Sequence, residues 1–505
     1  MPILNSLLSW VMKKRIHQME LFMKFPYDVQ NELLEELISA ANRTEWGKKY
    51  NYRSIRTLSD FKNRVPIQEY DDIKPYVDRM KKGERDLLWP GETNWFAKSS
   101  GTTNDKSKYI PLTRDALEEC HFKGGKDMLS IFCNNHPNSK IFSGKGLMMG
   151  GSKNMIPGKT DGYTGDLSAI LINNLPFWAD ILRTPESSIS LMDNWEEKLD
   201  KMALATSNED VTNIAGVPSW MLKLLNKILD NTGKKNIIDV WPNLEVYFHG
   251  AVNFEPYRSQ YDEVFGSKKV NYLELYNASE GFFGIQDQSD ETEMLLMLDY
   301  GIYYEFIPME EVNNDYPNSI SLSEVEVGKN YAIVISTNAG LWRYKIGDVI
   351  KFTSISPFRI MVTGRTKHFI NAFGEEIIID NADRAITIAC EKTKARITEY
   401  TAAPIYLTNK SAGGHEWLIE FEQEPDCLEK FTTYLDEALK SVNSDYEAKR
   451  SGDITLLKPI IKRVEKNTFY KWMKDRNRLG GQHKVPRLSN HRKYIEEIKE
   501  IAEIN

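Results

Sequence analysis

The chain has 505 residues, 41% of them hydrophobic and 27% charged, which is typical of globular proteins and unlike disordered, collagenous or coiled-coil chains. Its formal net charge of −7 argues against a general nucleic-acid binder, because such a protein needs a net basic surface to release counterions from phosphates. No stretch approaches the roughly 18–20 apolar residues of a membrane-spanning helix. Because of the net charge and the lack of such a stretch, we expect neither nucleic acid nor a membrane as a partner.

The first ninety residues predict helices separated by turns. The stretch Leu4–Trp10 is rich in apolar residues, but the basic residues Lys13–Arg15 follow it instead of preceding it, which indicates an amphipathic first helix and not a signal peptide. The four cysteines show no metal-ligand or redox-motif spacing, which fits a reducing compartment. We therefore expect a cytoplasmic protein. A second helix is predicted by apolar residues at helical spacing behind Pro26, namely Val29, Leu33, Leu34, Leu37 and Ile38.

Further helices are predicted near 114–132, 193–206 and 219–231. From residue 244 the pattern changes to short apolar or alternating runs separated by Gly and Pro, which predict strands. These runs are Leu244–Phe248, Val270–Tyr276, Tyr331–Ser336, Val349–Phe352 and Phe358–Thr363. The sequence thus predicts a helix-rich start followed by a sheet-rich middle.

After Gly364-Arg365 the pattern restarts as a compact mixed unit. Its predicted elements are helices near 380–391, 426–441, 466–477 and 490–502 and strands near 402–407 and 416–422. We therefore expect an α/β protein with a large amino-terminal domain containing mixed sheets (1–363), a hinge (364–368) and a smaller α+β carboxy-terminal domain (369–505).

A polar stretch at residues 98–108 is the first candidate for chemistry. It holds two serines, one glycine, two threonines and three lysines, so backbone N–H groups, hydroxyls and cations are concentrated where a polyphosphate can be bound. It is not a Walker loop, because Asp105 stands where the glycine before the lysine belongs. The alternative is a polar surface loop without a ligand.

Two carboxylates lie next to strand patterns. Glu280 comes after the run that ends at Ala278-Ser279, and a single carboxylate suits Mg²⁺, which takes one or two carboxylates together with phosphate oxygens and water. Asp348 follows Gly347 and precedes an apolar strand, where an acid can accept the hydroxyls of a ribose. A plain turn is the alternative at each position.

A basic tail contains the fourth candidate. Residues 458–493 carry 12 Lys and Arg against Glu465 and Asp475, and within them Gly480-Gly481 precede Lys484. Such a loop can bring a cation to a phosphate that gains negative charge during a reaction. The alternatives are a solvated basic face and a loose loop near a terminus.

In order and spacing these motifs resemble those of the adenylate-forming superfamily, and most closely the Gretchen Hagen family of acyl-acid amido synthetases, as a bacterial-type member. Residues Ser99–Thr103 with Lys106–Pro111 resemble its first motif and Tyr276–Gly281 its second. Arg343–Asp348 and Gln482–Arg487 resemble its third and its carboxy-terminal signature.

The resemblance implies an enzyme that uses ATP and Mg²⁺ to adenylate a carboxylic acid and then transfers the acyl group to an amine, usually an amino acid. It assigns Mg²⁺ and catalysis to Glu280, and neutralisation of the α-phosphate to Lys484. It also implies that the small domain rotates at the hinge between the two steps. The nucleotide-binding residues that it implies are Ser99, Ser100, Gly101, Thr102, Thr103, Lys106, Gly250, Ala251, Tyr276, Ala278, Ser279, Asp348 and Arg365.

Some questions stay open at the sequence level. Trp342 and Lys345 stand where plant members of the family more often have Tyr and Arg, which does not affect the expected use of ATP. Val217–Trp220 resembles a stretch that lines the acyl region, although Trp220 fits a plain core position equally well. The expected partners are a small carboxylic acid and an amine, with a monomer assumed. An acyl-CoA ligase and a non-catalytic nucleotide-binding protein are the alternative functions.

Overall fold

A computed structural model describes most of the chain and divides it into two compact units. The larger unit contains Met1–Val252 and Asp262–Met361, and the smaller unit contains Asn253–Tyr261 and Val362–Asn505. The sequence predicts residues 253–261 as part of the larger domain, whereas their contacts group them with the smaller unit. The described residues are 2–99, 108–157, 162–251, 254–266, 270–289, 291–312, 314–366, 369–370, 372, 375, 377–405, 413–443, 446–447, 450, 456–476, 478–479 and 484–504.

The chain begins with a layer of helices, as predicted. These are α1 (Pro2–Lys24), α2 (Pro26–Ala41), α3 (Glu45–Lys49), α4 (Leu58–Arg64) and α5 (Tyr70–Lys81). Helix α2 starts with Pro26 in its first turn, where the missing N–H has no intrahelical partner to lose, and buries Leu34, Leu37 and Ile38. None of the helices in the described part of the chain combines the length and apolar character needed to span a bilayer.

The helices that follow include those predicted near 114–132, 193–206 and 219–231, together with helices at 167–173, 177–181, 187–190 and 255–265 that have no predicted counterpart. They are α6 (Arg114–Ala116), α7 (Lys123–Asn135), α8 (Leu167–Asn173), α9 (Phe177–Ile181), α10 (Ser187–Ser190), α11 (Trp195–Thr206), α12 (Pro218–Thr232) and α13 (Glu255–Phe265). A π-helix over Leu117–Phe122 joins α6 to α7, so the predicted helix at 114–132 is not uniformly α-helical. Short 3₁₀ turns lie at Tyr52–Ser54, Ile237–Asp239, Met309–Glu311 and Leu322–Glu324.

Strands occur along the whole larger unit. They are β1 (Trp95–Ser99), β2 (Lys108–Leu112), β3 (Lys145–Met148), β4 (Lys153–Met155), β5 (Tyr163–Gly165), β6 (Arg183–Thr184), β7 (Val211–Gly216), β8 (Val246–Gly250), β9 (Asn271–Ala278), β10 (Gly281–Ile285), β11 (Met294–Leu296), β12 (Ile302–Pro308), β13 (Asn330–Thr337), β14 (Tyr344–Ile355) and β15 (Phe358–Arg365). Strands β1–β7 lie before residue 244, in the part of the chain for which the sequence predicts a helix-rich start and names no strands.

Two sheets organise these strands among the described residues. A four-stranded sheet has the order β2-β1-β5-β4, and an eleven-stranded sheet has the order β12-β13-β14-β15-β11-β10-β9-β8-β7-β3-β6. In the large sheet, β6, β3, β7, β8 and β9 run parallel, while β9, β10 and β11 pair antiparallel. The predicted α/β class with mixed sheets is confirmed.

The smaller unit has its own core. Its elements are β16 (Phe369–Ile370), β17 (Ile377–Ile378), α14 (Ile379–Thr393), β18 (Arg396–Ile405), β19 (Gly414–Gln423), α15 (Leu428–Val442), β20 (Ile460–Val464), α16 (Thr468–Asp475) and α17 (Lys493–Ile501). Strands β18, β19 and β20 form a sheet in that order, with β18 antiparallel and β20 parallel to β19. Ile386, Leu435 and Trp417 are fully buried in the cluster that joins the helices to this sheet.

Candidate active site

The carboxyl ends of parallel strands bring the central motifs together. Gly250 pairs with Leu275 in the parallel register of β8 and β9, so Ala251 follows β8 at the same edge at which β9 ends in Ala278. In open α/β sheets, ligands bind in the crevice beyond such carboxyl ends. This edge of the larger unit is therefore the candidate active site.

The turn after β8 has a backbone that only certain residues tolerate. A Cβ on Gly250 would lie 2.2 Å from the carbonyl oxygen of Leu275, so only glycine permits this close approach of the two strands. Ala251 has φ +74°, a left-handed conformation that is uncommon for a residue with a side chain. Strain of this kind clusters at ligand sites.

Tyr276 joins the second motif to the third. Its hydroxyl donates a hydrogen bond of 2.8 Å to Oδ2 of Asp348, and both side chains are buried. The Tyr276 ring also contacts Phe283, with ring centroids 4.8 Å apart. A carboxylate can accept several hydrogen bonds, so Asp348 can take a ligand hydroxyl in addition to the tyrosine.

A β-bulge positions Asp348 within β14. Ala332 pairs with Val349 and Val334 with Lys345, so one residue of β13, Ile333, stands opposite three residues of β14, 346–348. Gly347 lies in this bulge with φ +95°, a conformation suited to glycine. Bulges of this type change the direction of side chains at functional sites.

Glu280 lies in a two-residue turn between β9 and β10. Ala278 pairs with Gly281 across the turn, and Ser279 and Glu280 are 3% and 8% exposed. Within the described residues, no group of three or more His, Cys, Asp or Glu side chains is arranged to hold a metal ion. The residues present fit a magnesium ion held by one protein carboxylate and by nucleotide phosphates, which is the usual magnesium arrangement in phosphate chemistry.

The π-helix supports this turn, a contact that no sequence pattern signals. The backbone N–H of Phe282 donates to Sγ of Cys120, 3.2 Å away, and burial raises the pKa of the Cys120 thiol to about 12. A Cβ on Gly124 would lie 2.4 Å from the Phe282 ring, so glycine is needed for this contact. The thiol is therefore neutral, and it holds the residue two positions after Glu280.

The third motif is also structural. The Arg343 guanidinium forms a buried ion pair with Glu305, with Nε 2.9 Å from Oε2, and its Nη1 donates to the carbonyl of Val65 at 2.6 Å. Trp342 is fully buried and donates to the carbonyl of Leu88 at 3.0 Å. These contacts fix the start of the strand that carries Asp348.

The remaining predicted site residues lie on other elements or outside the described residues. Ser99 ends β1 in the four-stranded sheet, whereas Ser100, Gly101, Thr102, Thr103 and Lys106 lie outside the described residues. Arg365 ends β15 and Lys484 is exposed, and both belong to the smaller unit. The hinge residue His368 lies outside the described residues as well.

Trp220 is a core residue at the start of α12. It is buried and packs edge to face on Trp195, with ring centroids 4.7 Å apart and an interplanar angle of 72°. The Nε1 atoms of both rings have no hydrogen-bond partner among the residues that the structure describes. Trp220 follows β7, which is parallel to β8, so it lies at the same edge of the sheet as Gly250.

Comparison with known families identifies this arrangement. Residues 15–270 match the GH3 family N-terminal domain, residues 295–365 its central domain and residues 380–493 its C-terminal domain. The chain belongs to the GH3 family. This is the Gretchen Hagen family that the four motifs predict.

Similar proteins agree with the GH3 assignment. The indole-3-acetic acid-amido synthetase GH3.3 of Arabidopsis thaliana is 25% identical, over 91% of this chain and 89% of that protein. A solved GH3.15 acyl acid amido synthetase superposes with a TM-score of 0.79 at 18% identity, covering 97% of this chain and 96% of that one. A 2-hydroxyisobutyryl-CoA ligase in the postadenylation state superposes with a TM-score of 0.61 at 13% identity, over 94% and 91% of the two chains. The GH3 chain thus has the fold of adenylate-forming ligases.

Proposed function

We propose that the chain is an ATP- and Mg²⁺-dependent acyl-acid amido synthetase. The observation that carries the proposal is the meeting of the Gly250 turn with the second and third motifs at one edge of the larger unit. The Gly250 turn lies against the strand of Tyr276, and Tyr276 donates to Asp348. A glycine turn, an aromatic ring and a buried acid in contact are the elements needed to hold an adenine and its ribose.

The first step joins the acid to the nucleotide. An oxygen of the substrate carboxylate attacks the α-phosphorus of ATP, the bond from that phosphorus to the bridging oxygen breaks, and pyrophosphate leaves with the electron pair. Negative charge grows on the α-phosphate as the new bond forms. Lys484 is assigned to neutralise this charge, since a cation placed where charge develops lowers the barrier.

The other residues hold the nucleotide. Ser99 and the loop that follows it are assigned to the phosphates, Asp348 to the ribose and Arg365 to the nucleotide at the hinge. Glu280 is the residue assigned to Mg²⁺, which supplies charge neutralisation at the departing pyrophosphate when it is bound.

The second step transfers the acyl group. The nitrogen of an amine attacks the acyl carbon, the bond from that carbon to the phosphate oxygen breaks, AMP leaves and the nitrogen releases a proton. An amino acid is the proposed acceptor because the similar proteins named above include amido synthetases. The small domain, residues 369–505 in the sequence prediction, is proposed to rotate at 364–368 between the two steps.

Acid-dependent exchange of labelled pyrophosphate into ATP tests the first step without any amine. Exchange with one class of carboxylic acid supports adenylation and identifies the acyl substrate. Mixed amino acids and coenzyme A, offered separately to the acid so found, then test the acceptor by mass spectrometry of the product. An amide supports the proposal, and a thioester alone contradicts it.

The expected setting of the enzyme follows from the same proposal. The substrates are small molecules, and a monomer in the cytoplasm is the proposed state. Sedimentation at micromolar concentration tests the oligomeric state, and a mass of twice 58.3 kDa would contradict the monomer.

A further inference from the structure

The segment that carries Lys484 is attached to the edge of the small sheet. Leu488 forms a parallel bridge with Ala402 of β18. The N–H of Ala402 donates to the carbonyl of Arg487 at 2.8 Å, and the N–H of Ser489 donates to the carbonyl of Ala402 at 3.1 Å. The segment therefore extends the β18–β19–β20 sheet by one short, partly paired strand.

A side-chain hydrogen bond fixes the segment closer to the lysine. The hydroxyl of Thr401 donates to the carbonyl of Pro486 at 2.6 Å, and Thr401 is buried. Pro486 lies two residues after Lys484, and proline restricts its own φ angle. This bond therefore ties the backbone two residues after Lys484 to β18.

The Arg487 guanidinium is the second anchor, and it is buried among acids and aromatic rings. Its Nη1 donates to both carboxylate oxygens of Asp383, at 2.8 and 3.0 Å, and its Nε lies 3.4 Å from Glu399. Its Nη2 donates to the hydroxyl of Tyr257 at 3.3 Å, and it lies over the ring of Tyr400, 5.2 Å from the centroid. A forked guanidinium held on several sides leaves the backbone of its residue little freedom.

Arg487 and Lys484 differ in exposure, which suggests that Arg487 anchors the segment and Lys484 acts on the substrate. Arg487 is buried, whereas Lys484, three residues earlier, is exposed. Three residues span at most ~10 Å of extended chain, so fixing Pro486 and Arg487 confines the backbone of Lys484 to a small volume. A cation held in a small volume loses less entropy when it meets its phosphate.

We propose that Thr401 and Arg487 are positioning residues that hold the Lys484 segment on β18, so that the lysine reaches the reacting phosphate in a defined place. This inference rests on the proposed function, in which Lys484 acts during adenylation. Neither residue is assigned a contact with substrate.

Thr401→Val is the primary test because it removes one hydrogen bond, keeps the shape of the side chain and leaves no buried charged group without its partner. Thr393→Val is the matched control, since Thr393 is also buried in the smaller unit and donates to the carbonyl of Ala389 at 2.7 Å. Arg487→Lys is a second variant, which keeps the positive charge and loses the planar guanidinium that binds both oxygens of Asp383.

Hydrogen exchange measured by mass spectrometry tests the anchoring without any activity. Thr401→Val and Arg487→Lys are expected to speed exchange in peptides covering 484–492, and Thr393→Val is expected to leave these peptides unchanged. Equal protection of 484–492 in all of these proteins would overturn the anchoring, whether or not the enzyme adenylates an acid.

Pyrophosphate exchange tests whether the anchoring serves Lys484. Thr401→Val is expected to slow exchange about tenfold, as small misplacements of a reacting group do, and Thr393→Val is expected to leave the rate unchanged. In a Lys484→Ala background, Thr401→Val should have no further effect. An equal slowing in both backgrounds would overturn the inference, while absence of exchange in the unmodified protein would overturn the proposed function instead.

Discussion

Tyr276 and Asp348, 72 positions apart in the sequence, are joined by a hydrogen bond of 2.8 Å. The bond links β9 to the bulge of β14 and is buried. It connects the ring proposed to face the adenine with the acid proposed to bind the ribose. The first prediction tests this link.

Tyr276→Phe removes the hydroxyl and keeps the ring. We expect the KM for ATP in pyrophosphate exchange to rise by a few-fold to about tenfold, because Asp348 loses a hydrogen bond that orients it. Tyr304→Phe is the control, since the buried Tyr304 hydroxyl donates at 3.1 Å to the carbonyl of Met297, which belongs to none of the nucleotide motifs. Equal KM values for ATP in the two variants would contradict the role of the Tyr276–Asp348 bond.

Gly250→Ala tests the turn after β8. A Cβ 2.2 Å from the Leu275 carbonyl oxygen forces the two strands apart, so we expect loss of stability of about 1–3 kcal/mol and loss of ATP binding by calorimetry. Gly125→Ala is the matched control, because among the described residues no atom beyond its chain neighbours and its own helix backbone lies within 4 Å of the added Cβ, and alanine is favoured in a helix. ATP binding by Gly250→Ala with unchanged affinity would be inconsistent with the proposed adenine turn.

Arg343→Ala tests whether Arg343 of the third motif stabilises the fold. It removes the closer of the two cations at the buried Glu305 and leaves Lys62, whose Nζ lies 3.9 Å from Oε1, so we expect a loss of about 3–5 kcal/mol in the free energy of unfolding, measured with urea. Lys345→Ala breaks the ion pair with Glu69, which is 49% exposed, and should cost at most about 1 kcal/mol. Similar losses in the two variants would show that burial is not what distinguishes the two pairs.

Asp127 makes the stability of the larger unit depend on pH. Burial raises its pKa from 3.8 to about 6, and the ion pair with Arg15 and the hydrogen bond from Tyr300 offset that rise only in part. The folded state therefore binds more protons than the unfolded state between about pH 4 and 6, so the contribution of Asp127 to stability falls as the pH rises through this window.

Asp127→Asn isolates that contribution. We expect the midpoint temperature of thermal unfolding of the variant to rise relative to that of the unmodified protein as the pH increases from 4 to 7, because the asparagine cannot ionise. Scanning calorimetry at intervals of half a pH unit gives the difference. A relative midpoint that declines over the same range would mean that the pKa of Asp127 is lowered, not raised.

Much of the fold is predictable from the sequence where a pattern is long. The apolar spacing at 219–231 predicts α12, and the runs from residue 244 predict β8, β9, β13, β14 and β15. The π-helix at Leu117–Phe122 is not predictable, since its residues carry the same apolar spacing as an α-helix. The three-residue strands β4 and β5 are too short for an alternation to be visible.

The residues of the candidate site can be predicted from the sequence, but the contacts between them cannot. The motifs at Tyr276–Glu280 and at Asp348 are visible in the sequence, whereas the hydrogen bond between them depends on sheet order and on a bulge. The ion pair of Arg343 with Glu305 and that of Arg487 with Asp383 depend on tertiary packing in the same way. The roles of Ser99–Thr103 and of Lys484 remain predictions.

Lys484→Ala provides the most direct test of the central claim, with acid-dependent pyrophosphate exchange as the measurement and Lys466→Ala, at another exposed lysine of the basic tail, as the control. We predict that the unmodified protein exchanges pyrophosphate with one class of carboxylic acid. Loss of the cation at Lys484 should slow that exchange by ~10²-fold, while Lys466→Ala keeps the full rate. Binding of ATP without exchange for any acid in a broad panel, or full exchange by Lys484→Ala, would contradict the account.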